Sequence, residues 1–268
     1  MPYCLVLHYV VTPYNGFGRL IMGGRSEIKV GCCGFVTAQK KYFRLFGLIE
    51  IQSTFYQLPK PQTAEKWRAS APAGFEFTMK AWQLITHEPS SPTYRRLTEK
   101  IAPGKFDRYG RFRPTEEVLA AWQRTALFAK TLGATLVLFQ CPASFHPTEE
   151  NVANMRDFFG QIPKEGLQLA WEPRGKWPEK IIHQLCEELE LIHCVDPFKD
   201  KPLFGDFQYF RLHGITGYRY HYTDEDLEQL IKWARKRPSY LLFNNNWMKE
   251  DALRLMELTS PIYYYSEQ

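Results

Sequence analysis

The sequence predicts an α/β fold, a parallel (β/α)8 TIM-like barrel over residues 28–268. Three observations carry this. From Ile28 onward, short apolar runs alternate with helical patterns, the mark of repeated strand–helix units. The turn after the first run reads Gly31-Cys32-Cys33-Gly34-Phe35, which is neither a dinucleotide fingerprint nor a P-loop, so an open nucleotide-binding sheet is disfavoured. Polar and charged residues also recur at the ends of the apolar runs, where a barrel builds its site.

The strands expected are 28–33, 48–53, 75–80, 134–140, 167–172, 191–196, 207–213 and 239–245, each a short run rich in branched and aromatic residues. The helices expected are 37–46, 63–70, 115–132, 148–160, 178–189, 223–236 and 248–258. Thr115, Thr148 and Thr223 each precede two acidic residues, a pattern that caps a helix start and suits its dipole. The helix at 178–189 opens on Pro178 and sets Ile181, Ile182, Leu185, Cys186 and Leu189 on one stripe. The link 197–206 is too short and Pro-rich for a regular helix. Residues 1–27 carry four glycines between Gly16 and Gly24 and no clear period, so they read either as an irregular extension or as sequence before a natural start at Met22.

At 268 residues the chain suits one large domain, and 44% hydrophobic residues supply ample core. No apolar run approaches the roughly 20 residues of a membrane span, and the start lacks a signal-peptide pattern, so a cytoplasmic protein without a membrane partner is expected. The net charge of +5 is compatible with an anionic partner. The six cysteines form no CxxC pair and read as reduced packing groups; Cys32 and Cys33, adjacent on a strand, point to opposite faces.

Alternation sorts the polar residues. Outward Ile49 and Ile51 turn Glu50 and Gln52 toward the axis; outward Phe75, Phe77 and Met79 turn Lys80 in. By the same parity Glu172, with Arg174 following, Asp196, Arg211 and His213 point inward. Gln140, Asn244 and Asn246 complete the ends of their strands. A barrel that needed only to fold would fill this layer with branched apolar residues, and a buried ion network is a poor stabiliser, so the cluster reads as a site.

These residues fall in motifs. Glu50-Ile51-Gln52-Ser53-Thr54-Phe55-Tyr56-Gln57-Leu58-Pro59, Phe77-Thr78-Met79-Lys80-Ala81, Ile85-Thr86-His87-Glu88, Glu172-Pro173-Arg174, Asp196-Pro197, Tyr209-Phe210-Arg211-Leu212-His213-Gly214 and Phe243-Asn244-Asn245-Asn246 occur in this order. Together they resemble the family catalogued as domain of unknown function 72, from Ile28 to about Met256. The resemblance implies a TIM barrel and no established activity. The chain departs from the family pattern at Cys32-Cys33, where small hydroxyl residues are common, at Phe35 and Gln52, and in a 174–177 segment one residue short.

Two chemistries are open to the cluster. Glu50, Glu172, Asp196 and His213 could hold a divalent metal through oxygen and imidazole ligands, though three nearby cations oppose it and these four residues form no HxH or HxxE pair. Without metal, Lys80, Arg174 and Arg211 would hold an anion, most plausibly phosphate, while Glu50 or Glu172 acts with His213 in acid–base catalysis. A glycosidase-like pairing of the two glutamates depends on their separation. No nucleotide cofactor is expected. His87, just beyond the third strand, and Tyr56 join the candidates by position.

The segment 81–114 is long for a loop and carries a net +4 interleaved with Trp82, Tyr94, Phe106, Tyr109 and Phe112. Basic and aromatic groups together suit single-stranded nucleic acid; the plainer reading is a lid with a small core of its own. The function expected is a hydrolase or lyase, acid–base or metal-assisted, acting on a phosphate-bearing substrate, nucleic acid included. The alternative is a barrel that binds nucleic acid or an anionic metabolite without turnover. The oligomeric state is left open.

Overall fold

The computed structural model describes residues 19–20 and 27–259. Eight parallel strands close on themselves: β2 (Ile28–Cys32), β3 (Leu48–Ile51), β4 (Glu76–Lys80), β5 (Ala134–Gln140), β6 (Gln168–Glu172), β7 (Ile192–Val195), β8 (Gln208–Leu212) and β9 (Ser239–Phe243). Each pairs with the next, and β2 pairs back onto β9 from Ile28↔Ser239 to Cys32↔Phe243, which closes the barrel. A two-residue strand β1 (Arg19–Leu20) runs antiparallel to β2. The reading of 1–27 as an extension or a late start otherwise lies outside the described residues.

The helices are α1 (Gln39–Leu45), α2 (Ser53–Tyr56), α3 (Pro61–Ser70), α4 (Gln83–Thr86), α5 (Glu116–Leu132), α6 (Glu149–Gln161), α7 (Glu179–Leu189), α8 (Asp224–Ala234) and α9 (Met248–Thr259). Thr115, Thr148 and Thr223 each accept a backbone N–H three residues on, and Thr223 forms a reciprocal box with Asp226. Between β7 and β8 no helix forms, as Pro197 and Pro202 suggest. The short helices α2 and α4 were not expected. Thr54 favours the first: its hydroxyl lies within hydrogen-bond reach of the carbonyls of Ile51, at 2.9 Å, and Lys80, at 2.7 Å, where the chain leaves β3 two residues before the expected end at 53.

Two buried layers confirm the alternation. Leu48, Leu136, Leu138, Ala170, Ile192, Cys194, Tyr209, Leu242 and Cys33 pack along the axis. Ile49, Ile51, Phe77, Met79, Leu169, Trp171, Phe210 and Leu212 pack outward against helices, as does Cys32. Each such side chain contributes about 1.5–3 kcal/mol by leaving water, so a one-residue slip in any strand would forfeit several at once. This layer fixes which residues reach the strand ends.

Candidate active site

Arg211 is the hub, because it lies on the axial face of β8 with carboxylates on two sides. Its Nε and Nη2 donate to Glu50 at 2.9–3.2 Å, and its Nη1 donates to Glu172 at 2.6 Å. Tyr209, two residues earlier on the same face, donates to Glu50 at 2.9 Å and meets Thr78 at 2.8 Å. Expected as an open anion ligand, Arg211 is instead fully enclosed, with guanidinium donors engaged by Glu50 and Glu172. Its role is to hold the carboxylates.

Glu172 ends β6 and accepts from Arg211, from Gln140 Nε2 at 2.8 Å and from Arg174 Nε at 2.8 Å. Burial pushes its carboxyl up, but Arg211 and Arg174, helped by His213 and Lys80, overcome that and hold it well below the usual carboxylate range. Glu172 is therefore ionised at neutral pH and cannot serve there as a general acid. With Arg211 between Glu50 and Glu172, the pair is not set out as a glycosidase acid and nucleophile.

His213 follows β8 and faces Asp196, which follows β7. Its Nε2 is 2.7 Å from Arg174 Nη2 and 3.2 Å from Arg211 Nη1. Guanidinium groups only donate, so Nε2 must accept, and the ring proton sits on Nδ1, 3.5 Å from Asp196 Oδ2. Burial lowers the imidazole pKa; the Asp196 hydrogen bond opposes this and the Arg211 charge adds to it. Asp196 is anchored in turn by the backbone N–H groups of His213 and Phe198.

Arg174 differs from Arg211 in being open: its side chain is 35% exposed. It borders a cavity of about 470 Å³ beyond the ends of β6 and β7, lined also by Glu172, Asp196, His213, Lys176 and Lys199. His193 lines it too; its Nδ1 accepts from Leu203 and burial lowers its pKa to about 4. Tyr209, Lys176 and Lys199 were missed, although the parity that turns Arg211 inward turns Tyr209 inward as well.

The remaining candidates divide. Lys80 ends β4 and is buried, with Nζ 2.8 Å from Gln140 Oε1 and 3.9 Å from the centre of the Phe55 ring. His87 is buried edge-on to Phe55, its Nδ1 bonded to Thr86, and burial followed by the Lys80 charge lowers its pKa to about 3. Gln52 donates to Asn244 at 2.7 Å and to the Cys33 carbonyl, tying β3, β9 and β2 together. Tyr56 lies under the Arg96 guanidinium, 3.5 Å from the ring centre, away from the cavity. Asn246 corrects an expectation: β9 ends at Phe243, and Asn246 is exposed in the following turn, its N–H bonded to Tyr218.

The 81–114 segment contributes none of the residues lining this cavity. Four of its seven cations are engaged locally: Arg111 and Arg113 pair with Glu88, while Lys105 and Arg108 pair with Glu117. Phe112 anchors the return, packed among Phe139, Phe145, Phe158 and Phe159. It is a folded flap, but not one with a core of its own: its buried side chains join the main core of the barrel.

Among the described residues no group of three or more His, Cys, Asp or Glu side chains is arranged to hold a metal. The donor set itself explains this: Arg211 occupies the space between the two glutamates, and two guanidinium groups take the His213 lone pair. The metal-assisted reading does not fit these residues. No described helix is long and apolar enough to cross a membrane.

Comparison with known proteins finds likenesses for the chain as a whole. The model of "Protein of unknown function DUF72" matches residues 38–260. The UPF0759 protein YunF of Bacillus subtilis (strain 168) is 23% identical over 235 residues, covering 86% of this chain and 72% of YunF. A DUF72 family protein from Enterococcus faecalis V583 superposes with a TM-score of 0.66 at 22% identity, over 86% of this chain and 96% of that one. An AP endonuclease, family 2, from Brucella melitensis does so at 0.50 with 10% identity, over 82% and 92%. At these identities the structural likenesses show the fold alone.

Proposed function

From the premise that this chain belongs to the DUF72 family of proteins of unknown function, we propose that it is an enzyme, a hydrolase or lyase, that works on a small phosphate-bearing substrate at the barrel mouth. One observation carries the reading: Arg174 is held by Glu172 on one side and His213 on the other, yet stays exposed at the edge of the cavity. A guanidinium so oriented presents a planar fork to an oxyanion, and Lys176 and Lys199 add positive charge at the same rim.

The acid–base partner is His213. Drawing Arg174 toward a phosphate leaves Nε2 with only the longer Arg211 contact, at 3.2 Å, while Asp196 faces the opposite nitrogen and favours the imidazolium that forms on proton uptake. Glu172, ionised and held by Arg211, positions Arg174. The AP endonuclease among the fold neighbours lends no more than the scaffold. A nucleic-acid substrate is less favoured than a small one, because four of the seven cations of the 81–114 flap, Lys105, Arg108, Arg111 and Arg113, are paired with Glu88 or Glu117.

The test is titration calorimetry with inorganic phosphate and a panel of sugar phosphates, with wild type and Arg174→Gln side by side. Loss of a charge-assisted contact should weaken binding at least about tenfold. Equal affinity in the two proteins, or no binding by either, overturns the reading.

A further inference from the structure

Lys80 has a setting that a structural lysine would not need. It is buried at the end of β4, and among the ion pairs of the described residues none includes it. The neighbouring carboxylates are taken, Glu50 by Arg211 and Tyr209, and Glu172 by Arg211, Arg174 and Gln140. What the amine does have is the face of Phe55 and the amide oxygen of Gln140, 2.8 Å away. Gln140 joins the amine to the cavity, since its other end donates to Glu172, a cavity-lining residue.

We propose that Lys80 is a carbonyl-reactive amine, and that the substrate of this barrel carries an aldehyde or ketone. The inference rests on the reading of Arg174 as the phosphate anchor only for where the rest of the substrate sits. An amine becomes nucleophilic at neutral pH when it is desolvated in an apolar pocket or set beside another cation, and Lys80 has both in Phe55 and Arg211. Burial first, then the Arg211 charge, bring its pKa down to about 7, against the partial opposition of Glu50 and Glu172.

The step balances without a redox partner. The nitrogen lone pair attacks the carbonyl carbon, the C–N bond forms as the C=O π bond breaks, the two protons of the neutral amine pass to the oxygen, and the C–O bond breaks to release water, giving an imine on Nζ. The protonated imine is an electron sink, which suits the lyase side of the proposed chemistry. His87 is held neutral in contact with the Phe55 ring that Lys80 also covers, so it adds no charge beside the amine.

The experiment is reductive trapping. Wild-type protein at pH 7 is exposed to glycolaldehyde phosphate or glycolaldehyde with sodium cyanoborohydride, and adducts are located by peptide mass spectrometry. Lys80 should be labelled at least about tenfold faster than the average of the other lysines, because they are almost wholly protonated at that pH. Protection by inorganic phosphate, and slower labelling in Arg174→Gln, would support the anchor as well. Rapid Lys80 labelling by both aldehydes alike, without phosphate protection, supports the amine and sinks the anchor. Labelling of surface lysines that spares Lys80 overturns the inference and leaves phosphate binding to stand on its own titration.

Discussion

Nη2 of Arg211 lies 2.9 Å from Oε1 of Glu50, and the two side chains are 1% and 0% exposed. Such a pair gains little by itself because both ions lose their hydration, but removing one partner strands the other in low dielectric. Arg211→Leu strands Glu50 and leaves Glu172 with Arg174. The expected outcome is a loss of about 3–5 kcal/mol in urea unfolding, with the same fold retained. A loss below about 1 kcal/mol would mean the enclosed ion network is not what holds the strand ends together.

The state of His213 gives a second outcome. With guanidinium donors on Nε2, the imidazole should be neutral with its proton on Nδ1 at pH 7, visible by nitrogen NMR. Its folded pKa is lowered from 6.5, so on acidification the unfolded chain takes up the proton first, and stability falls as pH drops below 6.5. His213→Gln should flatten this part of the stability profile. A doubly protonated ring at pH 7 would refute the assignment.

Glu172 moves in a lower window. Its folded pKa is depressed, so its contribution is complete above the unfolded value of 4.5 and is lost as pH falls toward the folded one. The stability gap between wild type and Glu172→Gln should therefore be largest near neutrality and shrink below pH 4.5. A gap that stays constant down to pH 3 would show that the carboxylate charge is not what Arg174 and Arg211 recognise.

How legible this site was follows from the strands. Alternation of Ile49 with Glu50, and of Phe210 with Arg211, is strict because one side of each strand must bury apolar surface against helices. Parity therefore settles which polar residues face the axis. It cannot say which of them find each other across the barrel. Arg211 and Arg174 looked alike in sequence; their difference comes from Glu50, 161 residues away, enclosing the one and leaving the other open. Local rules also end where the chain turns: Asn246 continues the parity of Asn244 on paper, but β9 has already stopped.

The flap offers a backbone test. Gly110 has φ +79°, and a Cβ there would run into the backbone of His87 and Glu88, where the returning chain of the segment donates to the carbonyls of α4. Gly110→Ala should destabilise the protein by about 2 kcal/mol or more, through both the left-handed backbone and the overlap. Arg108→Gln, at an exposed pair with Glu117, should change stability by less than about 1 kcal/mol. Differential scanning calorimetry on the two variants separates the cases, and equal small shifts would mean that the flap is not packed as described.

Lys80 yields the sharpest contrast between a structural and a functional reading. Its folded pKa is lowered from 10.5 to about 7, so between those values the unfolded chain binds the proton that the folded protein releases. Wild-type stability should accordingly rise with pH across that window. Methionine at this position is unbranched, of similar length and carries no charge to desolvate. Lys80→Met should thus be more stable than wild type at pH 7, by about 2 kcal/mol or more even after losing the Gln140 hydrogen bond. The advantage should narrow as pH approaches 10, where both proteins bury a neutral side chain. Residues retained at a stability penalty are characteristic of sites kept for chemistry. Urea titrations of the two proteins at pH 7, 8.5 and 10 read the outcome. A Lys80→Met variant that is less stable than wild type by the same amount at all three would assign the lysine a packing role, with no charge held at a disadvantage.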